Sequence, residues 1–182
     1  MGAAPGAAAA PAYTAAMAPD TIAFIGGGNM AGALIGGLLQ RGRRPEDLVV
    51  VEPGAAQREA LAQRFGLQAL AEAGPALARA GTVVWAVKPQ VFGEAAAPCR
   101  AFVADALQLS VMAGVRSARI VAATGSARVV RAMPNTPALI GQGIAGLHAA
   151  EAVSADERAQ VEALLAPTGR TLWVAQESDL DA

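Results

Sequence analysis

Gly26, Gly28 and Ala31 stand at the spacing with which a chain cradles a pyrophosphate, inside the run TIAFIGGGNMAG over Thr21–Gly32. A glycine at 26 can take the positive φ of a tight turn, and one at 28 lets backbone approach phosphate oxygens. A small residue at 31 lets a helix pack closely on a strand. The helix that follows presents unpaired N–H groups and the positive end of its dipole, so Ile25, Gly26, Gly27, Gly28, Asn29 and Met30 read as a phosphate-binding turn. An acid about 20 residues further on completes a dinucleotide fingerprint. Glu52 fills that place at the end of Leu48–Glu52, where a carboxylate can accept from ribose hydroxyls.

Three more segments could carry chemistry, each where an apolar run gives way to a loop: Ala86, Val87 and Lys88; then Met112, Ala113 and Gly114; then Met133, Pro134, Asn135, Thr136 and Pro137. In an open α/β sheet, ligands bind at the carboxyl ends of strands. Lys88, the one lysine among 14 basic residues, reads as a strand-end cation facing a cofactor. Ala113 and Gly114 are small enough for a flat ring to lie against backbone, and Pro134 and Pro137 stiffen a loop offering Asn135 and Thr136 as hydrogen-bonding groups. The single histidine, His148, lies in a Gly/Leu/Ala stretch away from these strand ends and reads as structural.

The elements that must position these residues alternate. Strands are expected at 21–25, 48–52, 82–87, 107–111, 129–133, 144–148 and 171–175. Helices are expected after Asn29 and at 57–65, 75–79, 91–97, 117–123 and 155–165. Ser154 with Glu157 three residues on forms a capping-box pattern for the last of these, and Asp156, Glu157 and Arg158 read as its solvated face. The alternation predicts an α/β fold of Rossmann type: a doubly wound, mostly parallel sheet with helices on both faces. Residues 1–19 form an uncharged Ala/Pro-rich tract read as a disordered extension, with Met17 a second candidate start beside Met1. The dinucleotide-binding domain is then expected over residues 20–175.

Composition excludes several classes. The 182 residues are 54% hydrophobic with a net charge of −1, and Arg41, Arg43 and Arg44 are the densest basic cluster, read as a solvated helix end. There is no footprint for nucleic acid. One cysteine, Cys99, allows neither an intrachain disulfide nor a cysteine cluster for a metal, which fits a reducing, cytoplasmic setting. No apolar run reaches membrane-spanning length.

The segments FIGGGNM (24–30), AVKPQ (86–90), AGV (113–115), MPNTP (133–137) and DLDA (179–182) occur in an order and approximate spacing that resemble the pyrroline-5-carboxylate reductases. The resemblance covers residues 21–182. It implies hydride transfer from NADPH or NADH to the C=N bond of 1-pyrroline-5-carboxylate, giving L-proline in the last step of proline biosynthesis. It places Ile25 to Met30 on the pyrophosphate and its ribose, Ala86, Val87 and Lys88 along the cofactor, Ala113 near the nicotinamide, and Asn135 with Thr136 at the border of the substrate pocket. The cofactor supplies the hydride chemistry and the protein positions two rings, so no acid/base dyad is required here.

Two departures accompany the resemblance. Glu52-Pro-Gly-Ala stands where members that favour NADPH carry small hydroxyl residues or arginine; Glu52 suits NADH, Arg58 could compensate, and the preference stays open. The family also continues beyond this length into a helical domain that binds substrate and makes the dimer. Residues 176–182 are expected to begin that domain, with the substrate-holding groups and any proton donor beyond them. On this reading the full-length form is a homo-oligomer, while the present chain alone is monomeric with exposed apolar surface near Leu180. Competing readings are a Rossmann dehydrogenase of the hydroxyacid type and a non-catalytic dinucleotide-binding fragment.

Overall fold

The computed structural model describes residues 21–181. The expected extension over 1–19, and both candidate starts, lie outside the described residues. In chain order the elements are β1 (Thr21–Ile25), α1 (Asn29–Gln40), β2 (Leu48–Val51), α2 (Ala55–Phe65), β3 (Ala80–Trp85), α3 (Phe92–Ala96), α4 (Arg100–Val103), β4 (Leu107–Ser110), α5 (Ser117–Thr124), β5 (Val129–Pro134), β6 (Gly143–Ala149), α6 (Ala155–Leu165) and β7 (Gly169–Trp173). Short 3-10 turns join them, including Pro75–Arg79 and the final Glu177–Asp181.

The strands form one seven-stranded sheet in the order β2-β1-β3-β4-β5-β6-β7. All pairings are parallel except β5 with β6. Only residues 135–142 join β5 to β6, too few for a crossover helix, so the chain turns back as a hairpin. The Rossmann-type, mostly parallel expectation therefore holds.

Strands covered on both faces must be apolar throughout, and every residue of β1 and β2 is buried. Alternate side chains go to opposite cores. Ile22, Phe24 and Val50 join Leu34, Ile35, Leu38 and Leu61 of α1 and α2, together with Val161 and Leu164 of α6. Ala23, Ile25, Val49, Val51, Val83 and Trp85 face the other way, onto Phe92, Val103 and Ile120 of α3, α4 and α5. Trp85 and Phe92 meet edge to face at 5.1 Å between ring centres. The Trp85 indole donates to Gln108 Oε1 at 2.8 Å, and Gln108 Nε2 donates to the carbonyls of Val103 and Ala106, so this polar pair is satisfied inside the core.

Several expectations shift. β2 stops at Val51 and β3 at Trp85, which leaves Glu52, Ala86 and Val87 in the loops beyond the strand ends. α4 is an additional turn of helix. Glu157 does more than solvate a helix face: with Ser154 it completes the capping box, and it pairs with Arg128 at 2.5 Å, while Arg158 lies over the Trp173 ring at 5.0 Å.

The largest difference is at residues 177–181, which do not project as an unpacked helix. Leu180 is 6% exposed and packs over Gly146, where an added Cβ would lie 2.8 Å from it. Arg131, 1% exposed in the middle of β5, donates from Nη1 to Glu177 at 3.1 Å and from Nη2 to Asp181 at 2.9 Å. Asp181 also pairs with Arg116 at 3.0 Å. Glu177 Oε1 accepts from the Ser117 N–H at 2.6 Å, so a carboxylate distant in sequence caps α5. Burial alone would raise the Glu177 carboxyl, but the Ser117 N–H and Arg131 outweigh it and hold it below the usual carboxylate range.

Candidate functional site

The chain leaves β1, adds β2 on one side, then crosses to add β3 on the other, so the order reverses at the carboxyl end of β1. That is the switch point at which a doubly wound sheet opens a crevice. The Gly26 N–H donates to the Val51 carbonyl and the Ala86 N–H to the Ile25 carbonyl, both at 2.9 Å, which holds the three strand ends flush.

Gly26 has φ +97°, and a Cβ there would lie 2.6 Å from the Ala86 oxygen. Only glycine fits this turn. Gly28 differs: its φ is −71° and an added Cβ would meet nothing within 4 Å. The protein leaves space above Gly28 that its own packing does not use. Gly28 is the N-cap of α1 and no side chain caps the helix there, which leaves its positive end open to an anion. Ala31 is fully buried against the sheet, as close helix packing requires.

Beside the turn lies a cavity of about 540 Å³ whose walls include Ile25, Gly26, Val51, Pro53, Val87 and Val91, with Glu72 and Glu94 also on its lining. Its mainly aliphatic walls and volume suit a flat heteroaromatic group. Glu52 stands beside the turn, next in the chain to Val51 and Pro53 of the cavity wall. Its Oε2 accepts from the Gly27 N–H at 2.9 Å and its Oε1 from the Gly54 N–H at 2.7 Å. Gln57 Nε2 donates to the Gly27 carbonyl at 2.5 Å. Arg58 Nη1 donates to the carbonyls of Glu52 at 3.0 Å and Pro53 at 2.7 Å. Gln57 and Gly54 escaped the sequence reading, because a polar side chain in the first turn of an ordinary helix carries no motif.

The remaining candidates extend along the same edge of the sheet. Ala86 and Val87 are half-buried just past β3, and Lys88 is exposed at the following turn. The Val111 N–H donates to the Trp85 carbonyl at 3.1 Å, which aligns the end of β4 with that of β3. Ala113 and Gly114 are exposed beyond β4, and Asn135 and Thr136 are exposed beyond β5. Asn135 Oδ1 accepts from the Ile144 N–H at 3.0 Å, so part of this side chain pins the hairpin to β6. His148 lies apart from these ends: it pairs across the sheet with Arg131, and its Nδ1 is buried without a partner. Arg44, at the other end of α1, pairs with Asp47 at 2.8 Å.

A sequence profile for the family described as NADP oxidoreductase coenzyme F420-dependent matches residues 21–114. The chain is 42% identical over 170 residues to a pyrroline-5-carboxylate reductase of Pseudomonas aeruginosa, covering 91% of this chain and 62% of that one. Among solved structures, a pyrroline-5-carboxylate reductase from Coxiella burnetii superposes with a TM-score of 0.83 at 30% identity, over 89% of this chain and 61% of that one. The Plasmodium falciparum pyrroline carboxylate reductase solved with NADP bound shares the fold at a TM-score of 0.76 and 23% identity, over 91% of this chain and 61% of that one. The chain thus spans about three fifths of the length of these relatives. The resemblance to pyrroline-5-carboxylate reductases read from the motifs holds in sequence and in fold. The chain belongs to the family described as NADP oxidoreductase coenzyme F420-dependent.

Proposed function

We propose that this chain is the dinucleotide-binding part of a pyrroline-5-carboxylate reductase, an NAD(P)H-dependent imine reductase acting in proline biosynthesis. The observation that carries the reading is the unused space at Gly28, where an added Cβ would meet nothing within 4 Å, at the start of a helix that no side chain caps. The residues present fit a dinucleotide. Gly26 to Met30 would hold the pyrophosphate, and Glu52 the adenosine ribose. The cavity would take the adenine, Ala86, Val87 and Lys88 would follow the chain of the cofactor, and Ala113 would border the nicotinamide ring.

When bound, a reduced nicotinamide supplies a hydride to the imine carbon while the imine nitrogen takes a proton. This chain's share would be positional: Ala113 beyond β4 would border the ring, and Asn135 and Thr136 beyond β5 would border the substrate. No metal enters this scheme. The setting proposed is the cytoplasm, on the ground that the one cysteine of the sequence, Cys99, is a buried free thiol. Among the described residues no helix is long and apolar enough to cross a membrane. Assembly of the full-length form as a homo-oligomer belongs to the same proposal; Ile144 and Leu172, on one face of β6–β7 and 54% and 63% exposed, support it.

The test is twofold: titration of the chain with NADH and NADPH, and oxidation of the reduced cofactor on addition of 1-pyrroline-5-carboxylate to a protein containing this chain. Saturable binding and imine-dependent oxidation are expected. Oxidation of the reduced cofactor by a 2-oxo acid, yielding the 2-hydroxy acid, instead of by the imine would move the protein to the hydroxyacid dehydrogenases.

A further inference from the structure

We propose that Glu52 makes this chain select the dinucleotide that lacks a 2′-phosphate, NADH over NADPH. The inference rests on the dinucleotide reading above and extends it to the ribose. Ile25 and Val51 are register partners at the ends of β1 and β2, so the next residue, Glu52, stands beside the glycine turn. Its carboxylate is not free to swing. Each oxygen accepts one backbone N–H, from Gly27 at 2.9 Å and from Gly54 at 2.7 Å.

The two glycines are shaped around it. A Cβ on Gly54 would come within 2.9 Å of Glu52 Oε1, and one on Gly27 would lie 3.4 Å from the Glu52 side chain and 2.7 Å from Leu61. Moving the carboxylate aside would therefore leave two N–H groups without their acceptor. Held in place, each oxygen keeps lone pairs for a hydroxyl donor, which is what an unmodified ribose offers. A 2′-phosphate offers no donor there and carries up to about two negative charges.

The cavity wall does not offset that charge. The ionisable residues on the lining of the neighbouring cavity are Glu72 and Glu94, and no cationic side chain among the described residues is on it. Arg58 would be the natural neutraliser one turn into α2, but its Nη1 is directed onto the carbonyls of Glu52 and Pro53. The carboxylate is thus the group nearest the ribose position, and the Arg58 cation close by is turned onto backbone carbonyls.

The experiment is equilibrium titration of the full 182-residue chain with NADH and NADPH, for wild type, Glu52→Ser and Glu52→Gln, with a melting curve for each. In the wild type the NADPH dissociation constant should exceed that for NADH by about 30-fold, as like-charge juxtaposition requires. Glu52→Ser should bring the ratio close to one, mainly by tightening NADPH. Glu52→Gln keeps the side-chain volume and removes the charge, so it should shrink the ratio even if the serine variant fails to fold. A wild-type preference for NADPH, equal affinity for the two, or a ratio unmoved in Glu52→Gln would overturn the assignment while leaving dinucleotide binding intact. Binding of neither dinucleotide would overturn the functional reading beneath it as well.

Discussion

Gly26 and Gly28 lie two residues apart in one turn, yet their substitution should fail in opposite ways. Alanine at 26 must adopt φ +97° and place its Cβ 2.6 Å from the Ala86 oxygen. The backbone strain is about 1–3 kcal/mol, and forcing β1 and β3 apart adds about 1–3 kcal/mol as overpacking. A total of about 4 kcal/mol lowers the melting temperature of a domain this size by about 10 °C. At 28 an added Cβ meets no protein atom within 4 Å and the backbone keeps an ordinary φ of −71°. The stability change for valine there is about 1 kcal/mol or less, the scale of an N-cap exchange. Its side chain instead fills the space assigned to the pyrophosphate, and dinucleotide affinity should fall by about 100-fold or more, equivalent to about 3 kcal/mol. Thermal denaturation followed by circular dichroism, together with calorimetric titration of NADH and NADPH, reads both quantities. Gly28→Val with wild-type affinity would refute the placement of the ligand, and Gly26→Ala melting within about 2 °C of wild type would refute the steric reasoning.

Arg131→Met should destabilise the chain by about 3 kcal/mol in urea denaturation, because it strips two carboxylates of a buried guanidinium; a change below about 1 kcal/mol would show that Glu177 and Asp181 are satisfied by water. Stability should also depend on acid. The folded Glu177 and Glu157 carboxyls lie below the ordinary value of 4.5, so their contribution is complete above that pH and is lost as the pH falls through the folded values. The urea midpoint measured from neutrality downward should drop below that point, and Glu177→Gln should flatten the drop. Ser154→Ala removes the hydroxyl that accepts from the Glu157 N–H at 3.2 Å and should lower stability by about 1 kcal/mol, with dinucleotide affinity unchanged.

What the sequence disclosed was whatever chemistry is local. The run TIAFI before three glycines states a buried strand and a tight turn within a few residues, and Ser154 with Glu157 states a helix start within four. Strand ends were less legible. Val-rich runs continue past the strand end, so Ala86 and Val87 read as strand although β3 stops at Trp85. Arg131 was opaque for a different reason: a charge within VVRAMP suggests solvent, and the acids that make its burial tolerable arrive 46 and 50 residues later. The same long-range pairing explains why residues 177–181 were expected to dangle. Of the site, the glycines and Glu52 were readable by type and spacing. The two N–H groups that fix the Glu52 carboxylate were not, since Gly54 becomes a donor only once the β2–α2 loop has its shape.

The Glu177 cap has a dynamic consequence. The N–H at the start of α5 is covered only while the 177–181 turn stays docked, and α5 follows directly from the loop that carries Ala113 and Gly114. Undocking the turn would uncap the helix, and fraying of its first turn would spread into that loop. These separated stretches form one opening unit. Native-state hydrogen exchange should therefore show the amides of Ser117 and Asp179 exchanging with a common free energy and a common response to denaturant, although sixty residues separate the cap from its helix.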